Sequence, residues 1–146
     1  GSIAYGFVSD KLFDARRPPA NLIFAIIEVL ALLLIFYGPE NRFLLALGFA
    51  LYGAALSGLI AAVGGLFAVD LAPRQATGAA MGLVGVFSYL GAAMQETVSA
   101  RLISEGVTVV DGTRVYDFDT AILFWIGCSV VSMLLAASLW NAKVRA

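Results

Sequence analysis

The sequence predicts an all-α protein, a polytopic bundle of four membrane-spanning helices. Of its 146 residues, 61% are hydrophobic and 13% are charged, and its mean hydropathy is +0.93. This composition is more apolar than that of an ordinary soluble domain. Four apolar stretches alternate with short polar segments, and each stretch is close to or above the roughly 20 residues that a helix needs to cross a bilayer.

The chain opens with a partial helix and a charged loop. Residues 1–8 are apolar but too few to span a membrane, so we expect them to end a helix that starts upstream of Gly1. Residues 9–19 carry several charges and close with two prolines, which suit the first turn of a helix. These residues predict a loop, followed by a first complete helix over residues 20–37.

Turn signals separate the next two helices. Residues 38–41 (GPEN) form a turn short enough to make the second helix, residues 43–69, antiparallel to the first. The segment LAPR at 71–74 predicts an elbow, because its proline stops a helix. A third helix is expected over residues 76–102.

A polar segment, residues 104–119, precedes the fourth helix at 120–140. The pair Asp111-Gly112 predicts a tight turn in a small hairpin or an ordered loop. Residues 141–146 form a short polar tail. The four-helix membrane region is therefore predicted to cover residues 20–140.

The distribution of positive charge predicts the orientation in the membrane. With four crossings, the first loop, the elbow and the tail share one side, which holds six Lys or Arg residues against three on the other side. The six are Lys11, Arg16, Arg17, Arg74, Lys143 and Arg145. Because positive residues mark the cytoplasmic side, we expect a cytoplasmic C-terminus.

The third helix carries small or polar residues along one face, at alternating steps of four and three. They are Gly78, Gly82, Gly85, Tyr89, Ala92 and Glu96. In a bilayer, small residues allow helix backbones to approach closely. We therefore predict a tight helix-packing seam at Gly78, Gly82 and Gly85.

The composition argues against several classes of protein. The chain has no histidine, and its single cysteine allows neither an internal disulfide nor a cysteine-based metal site. A net charge of −1 gives no case for nucleic acid. Since the motifs of nucleotide-binding and hydrolytic sites are also missing from the sequence, we predict no enzyme, no metal and no cofactor.

Glu28 lies near the middle of the first predicted helix. An ionisable side chain at that depth costs at least ~2.5 kcal/mol unless it is paired, protonated or hydrated. Three interpretations are open: a site for a coupling proton, a partner for a cationic group upstream, or a protonated side chain bonded to a neighbouring helix.

A polar strip on the third helix predicts the lining of a cavity, because lipid would penalise it. The strip comprises Ser88, Tyr89, Ala92, Gln95, Glu96 and Ser99. Tyr52 on the second helix is a lone phenol in an apolar run and also needs a partner. Trp125 and Trp140, near the ends of the fourth helix, are expected to anchor it at the membrane interface.

Several blocks of sequence resemble one transporter family. The spacing Gly6-x-x-Ser9-Asp10-Lys11 with Arg16-Arg17 resembles the cytoplasmic loop signature of the major facilitator superfamily. The blocks SDKLF (9–13), PANLIF (19–24), LAPR (71–74), ATG (76–78) and GLVGVFSYLGA (82–92) are similar to the organophosphate:phosphate antiporter family. That family includes glycerol-3-phosphate and hexose-6-phosphate transporters and a sugar-phosphate sensor branch.

The resemblance implies a larger fold. The four helices would be the last four of a twelve-helix transporter in the inner (plasma) membrane, and the missing N-terminal half of the same transporter would be their partner. Such transporters exchange a phosphorylated sugar or glycerol for inorganic phosphate by alternating access.

The resemblance also implies roles for individual residues. Tyr52 and Tyr89 match cavity-facing tyrosines of the family, and Asp10 with Arg16 or Arg17 would form part of a cytoplasmic gate. The candidate substrate contacts are Tyr52, Tyr89, Ser88, Gln95, Glu96 and Glu28, and the candidate gate residues are Gly6, Asp10, Lys11, Arg16 and Arg17.

Two other functions are compatible with these residues. The sensor branch implies a receptor that binds a sugar phosphate and signals to a membrane histidine kinase. A small multidrug exporter, with the four helices complete and Glu28 as its proton-coupled carboxylate, is the other alternative.

Overall fold

The computed structural model describes residues 1–14, 17–138 and 140, which form six α-helices and a β-hairpin. The elements are α1 (Ser2–Leu12), α2 (Arg17–Tyr37), α3 (Arg42–Ala61), a π-helical turn (Ala62–Leu66), α4 (Phe67–Leu71), α5 (Thr77–Glu105), β1 (Val107–Val110), β2 (Thr113–Tyr116) and α6 (Asp119–Ser138). Within these described ranges, four helical segments are long and apolar enough to span a membrane: α2, the rod Arg42–Asp70, α5 and α6. The predicted fold class is confirmed.

The loop predicted over residues 9–19 is shorter in the structure. Helix α1 continues through Leu12, and α2 begins at Arg17. Pro18 and Pro19 lie buried in the first turn of α2, where a missing N–H costs no intrahelical hydrogen bond. The predicted loop boundaries were therefore wrong at both ends, while Arg16 and the tail at 141–146 lie outside the described residues.

The second predicted helix is a long rod whose hydrogen bonding changes part-way. In the π-helical turn, the Phe67 N–H donates to the Ala62 carbonyl five residues earlier. Gly64 and Gly65 lie inside this turn, and glycine weakens the preference for a regular α-helix. The rod therefore has a wider turn between α3 and α4.

Two turns follow the chemistry that the sequence predicts. Asn41 caps α3, because its side-chain oxygen accepts from the Phe43 N–H at 2.8 Å. Asp111 and Gly112 take positive φ values of 50° and 77°, as a two-residue hairpin turn requires. They join β1 to β2 in an antiparallel pair, so the predicted hairpin is confirmed.

The core lies where α1, α2 and α3 meet. Tyr5 is buried and packs edge-on against Phe24, with ring centroids 5.1 Å apart. Ala20, Ala55 and Ala62 complete the cluster and leave room for the two rings. Helix α2 also packs against α6, so it contacts elements on both of its sides.

Helix α5 is the least buried of the long helices. Ser99 is its one buried residue within the described chain. A Cβ atom added at Gly78, Gly82 or Gly85 would meet no atom within 4 Å. The glycine seam thus has no contact partner among the described residues, and its role in helix packing stays a prediction.

We expect Gly82→Leu to disrupt packing if the seam contacts a helix from outside this chain, because leucine would overlap with that helix. The matched control is Gly91→Leu, which lies nine residues further along α5 and therefore on its opposite face. The melting temperature of the purified protein in detergent measures the effect. Equal melting temperatures for the two variants would show that the seam faces lipid.

A second prediction concerns Gly58, which packs against the core. A Cβ atom there would lie 2.7 Å from the Phe24 ring, whereas at Gly53 on the same helix it would meet no described atom within 4 Å. Both changes to Ala gain similar helix propensity, so their difference isolates packing. We expect Gly58→Ala to be less stable than Gly53→Ala by about 1–3 kcal/mol, an overpacking cost measured by denaturant unfolding. Equal free energies of unfolding for the two variants would contradict this prediction.

Candidate functional site

An ion-pair cluster joins α1, α2 and α4 around the guanidinium of Arg17. Its Nη1 lies 3.0 Å from Asp10 Oδ1, and its Nε lies 2.9 Å from Asp70 Oδ2. Nη1 also donates to Ser9 Oγ at 3.0 Å. The Arg17 side chain is 12% exposed, against 29% for Asp70 and 60% for Asp10. The pair with Asp70 is therefore better shielded from water.

The buried Tyr5 hydroxyl contacts the first turn of α2 next to this cluster. The Tyr5 hydroxyl lies 3.1 Å from Asn21 Oδ1 and 3.3 Å from the Arg17 carbonyl oxygen, and it donates to one of them at a time. Tyr5 itself is fully buried. The start of α2 is thus fixed to α1 by both side-chain and backbone contacts.

The structure brings together part of the predicted gate. Asp10 and Arg17 pair as the resemblance implies, whereas Lys11 is exposed and a Cβ at Gly6 would meet no described atom within 4 Å. Asp70 is a partner that our sequence reasoning missed. The sequence could have indicated this pairing, because Asp70 is an acidic residue at the end of an apolar helix, on the same predicted side as the first loop.

Two cavities lie among α2, α3, α5 and α6. The first has a volume of about 450 Å³, and its polar lining includes Tyr52, Gln95 and Ser129. The second has a volume of about 440 Å³ and is lined on its polar side by Glu28, Ser88, Tyr89 and Ser132. The rest of each lining is mostly apolar. Such a combination is typical of small-molecule sites.

The predicted substrate contacts divide between these cavities. Tyr52 and Gln95 border the first, while Ser88, Tyr89 and Glu28 border the second. Tyr89 is 79% exposed and so lies at the rim. Glu96 is exposed and belongs to the lining of neither cavity. The roles of all six residues in binding stay predictions.

Glu28 is bonded to the neighbouring helix α6. Its Oε1 accepts a hydrogen bond from Ser129 Oγ at 3.1 Å. The contact agrees with the interpretation of a carboxyl group bonded to another helix and leaves its protonation open. Ser129 was missed because a single hydroxyl in an apolar run gives no indication of which helix it faces.

Trp125, which we expect to anchor α6 at the membrane interface, makes contacts within the bundle, and its position relative to the membrane stays a prediction. Its indole Nε1 donates to the buried Ser99 Oγ at 2.8 Å, and its ring lies 6.1 Å from that of Phe36. An indole inside a bundle needs such an acceptor for its N–H. Trp125 therefore links α6 to α5 and to α2.

Comparison with known proteins finds membrane transporters and a sensor. The chain is 29% identical to the glycerol-3-phosphate transporter of Bacillus subtilis, over all of this chain and 31% of that protein. It is 31% identical to the glycerol-3-phosphate transporter of Haemophilus influenzae, over 92% of this chain and 29% of that protein. It is 35% identical to the membrane sensor protein UhpC of Escherichia coli, over 70% of this chain and 24% of that protein.

The chain belongs to the organophosphate:phosphate antiporter family of the major facilitator superfamily. No family model and no solved structure matches it. The chain spans about three tenths of the length of these family members. Their names and the four apolar helices make it part of a multi-pass membrane protein.

We expect Asp70→Asn to lower the free energy of unfolding by about 1–3 kcal/mol, because it weakens a shielded hydrogen bond to a charged group. Asp10→Asn should cost less than about 1 kcal/mol, since that pair is solvent-exposed. Asp14→Asn is the control, because Asp14 has no ion pair with any described residue. Denaturant unfolding measures all three variants. A larger loss for Asp10→Asn than for Asp70→Asn would contradict this ranking.

Proposed function

We propose that the protein containing this chain exchanges an organophosphate, either a sugar phosphate or glycerol phosphate, for inorganic phosphate by alternating access. The names of the relatives support this proposal. They include the hexose-6-phosphate:phosphate antiporter of Escherichia coli, which is 30% identical over 99% of this chain. The observation that carries the proposal is the pair of cavities between the membrane helices, each mostly apolar with a few polar groups in its lining.

Neutral hydrogen-bond donors in these cavities suit phosphate oxygens. Tyr52, Tyr89 and Ser88 offer hydroxyl groups, and Gln95 offers an amide NH₂. The described residues that line the cavities include no Lys or Arg. The positive charge that balances a phosphate dianion must therefore come from the rest of the transporter, including the half that the resemblance implies. Glu96 would act at the cavity mouth.

The Arg17 cluster is the proposed cytoplasmic gate. Its three charged groups come from α1, α2 and the end of the α3–α4 rod, so relative movement of these elements would change their pairing. We infer the cytoplasmic side from the six positive residues that share it. On this orientation the β1–β2 hairpin lies outside, and residues 141–146 lie inside.

The proposed exchange can be measured directly with the full-length protein. Proteoliposomes preloaded with phosphate are expected to take up radiolabelled phosphate, and glucose 6-phosphate or glycerol 3-phosphate should inhibit the uptake. Inhibition by one of them would identify the substrate class. Binding of a sugar phosphate by folded protein without any exchange would contradict the proposal and favour the sensor.

We expect Tyr52→Phe and Tyr89→Phe each to raise the KM for phosphate about tenfold, because a hydrogen bond to a charged ligand is worth about 1.5–3 kcal/mol. Tyr37→Phe is the matched control, since Tyr37 is exposed at the end of α2 and lines neither cavity. The initial rate of phosphate exchange at a series of phosphate concentrations gives the KM. A KM for both cavity variants equal to that of Tyr37→Phe would exclude these phenols as ligands.

A further inference from the structure

Glu28 and Ser129 together connect the two cavities. Glu28 lines the second cavity, Ser129 lines the first, and the hydroxyl of Ser129 donates to Glu28 Oε1 at 3.1 Å. This hydrogen bond joins α2 to α6. A carboxyl group inside the bundle is thus accessible from one cavity and hydrogen-bonded to the wall of the other.

The polar groups that line the two cavities beside Glu28 include hydroxyl, amide and thiol groups. Helix α3 contributes Tyr52, helix α5 contributes Ser88 and Tyr89, and helix α6 contributes Cys128, Ser129 and Ser132 to the two linings. Among the described lining residues, Glu28 is the one carboxylic acid, and none is Lys or Arg. On its own helix, Arg17 is eleven residues away, about 16 Å along the axis.

These surroundings favour a proton as the ligand of Glu28. The described residues contain no group of three or more His, Cys, Asp or Glu side chains that could hold a metal ion. A negative carboxylate would repel a phosphate dianion, so Glu28 is poorly suited to bind the anionic substrate directly. A proton needs one carboxyl oxygen and one hydrogen-bonding neighbour, and both are present.

We propose that Glu28 is a proton-binding site whose occupancy is coupled to alternating access, with Ser129 as the positioning residue. The proposal rests on the proposed transport function. The neutral acid is the stable form when protein and lipid close the cavities, because a charge there is poorly solvated. When water enters a cavity, the carboxyl group releases its proton to that water and takes up another before the next closure.

The first test is infrared titration of the full-length protein in detergent or lipid. The wild type should show the carbonyl stretch of a protonated carboxylic acid at mildly acidic pH, and the band should disappear as the pH rises. Glu28→Gln should lack this band, while the control Glu40→Gln, which alters an exposed loop carboxylate, should keep it. Ser129→Ala should shift its frequency, because the carbonyl loses a hydrogen bond.

The second test compares the rates of phosphate exchange at each pH. Taking the ratio of wild type to Glu28→Gln cancels the titration of phosphate itself. If only the neutral acid allows closure, the ratio should fall by up to roughly tenfold per pH unit above the apparent pKa of Glu28. Glu28→Asp should restore a pH-dependent ratio, since it retains a titratable group, whereas a structural role would leave the ratio flat.

The outcomes separate this inference from the proposed function. An infrared titration identical in wild type and Glu28→Gln would overturn the proton site, and an ionised Glu28 at every pH would indicate a salt bridge to a cation elsewhere in the transporter. A Glu28 that titrates without changing the rate ratio would overturn the coupling.

Absence of exchange in the wild type would refute the transport function and the coupling together, while the infrared result would still decide whether Glu28 binds a proton. If Glu28→Gln does not fold, an unshifted band in Ser129→Ala would overturn the positioning role of Ser129.

Discussion

The bilayer interior offers no hydrogen bonds, and this constraint orders the polar groups of the chain. Two polar side chains inside the bundle have hydrogen-bond partners on other helices. Trp125 binds Ser99, and Glu28 binds Ser129. No buried side-chain nitrogen or oxygen atom within the described residues lacks a hydrogen-bond partner. The helices are thus held in register by a few polar contacts in addition to apolar packing.

Helix α2 has a central place in this arrangement. It carries Arg17 at one end and Glu28 near its middle, and it packs against both α3 and α6. One helix therefore connects the ion-pair cluster to the cavities. In contrast, α5 contributes lining residues to both cavities but has little contact with the described chain.

The sequence was sufficient to predict the helices and turns because their signals are local. The four apolar stretches, Asn41 and the pair Asp111-Gly112 each determine structure within a few residues of themselves. The partners of Arg17 and Glu28 could not be predicted in the same way. Asp70 is 53 residues from Arg17 along the chain, and Ser129 is 101 residues from Glu28. The rotation of each helix about its axis decides whether the two members of each pair meet.

The same limit applies to the candidate site. Tyr52 and Gln95 were recognisable as polar residues in apolar helices, but periodicity alone could not divide the polar residues between two cavities. Trp125 illustrates the difficulty. A position near a helix end is typical of an interfacial residue, and only the approach of α5 and α6 reveals its hydrogen bond to Ser99.

The hairpin has a practical consequence for structure determination. Its strands are paired along four residues each, its turn at Asp111 and Gly112 is exposed, and none of its residues lines either cavity. Exposed turns between paired strands tolerate insertions well. A small rigid domain inserted at this turn would add ordered mass outside the detergent micelle, which would help to align single particles of the full-length protein in electron cryomicroscopy.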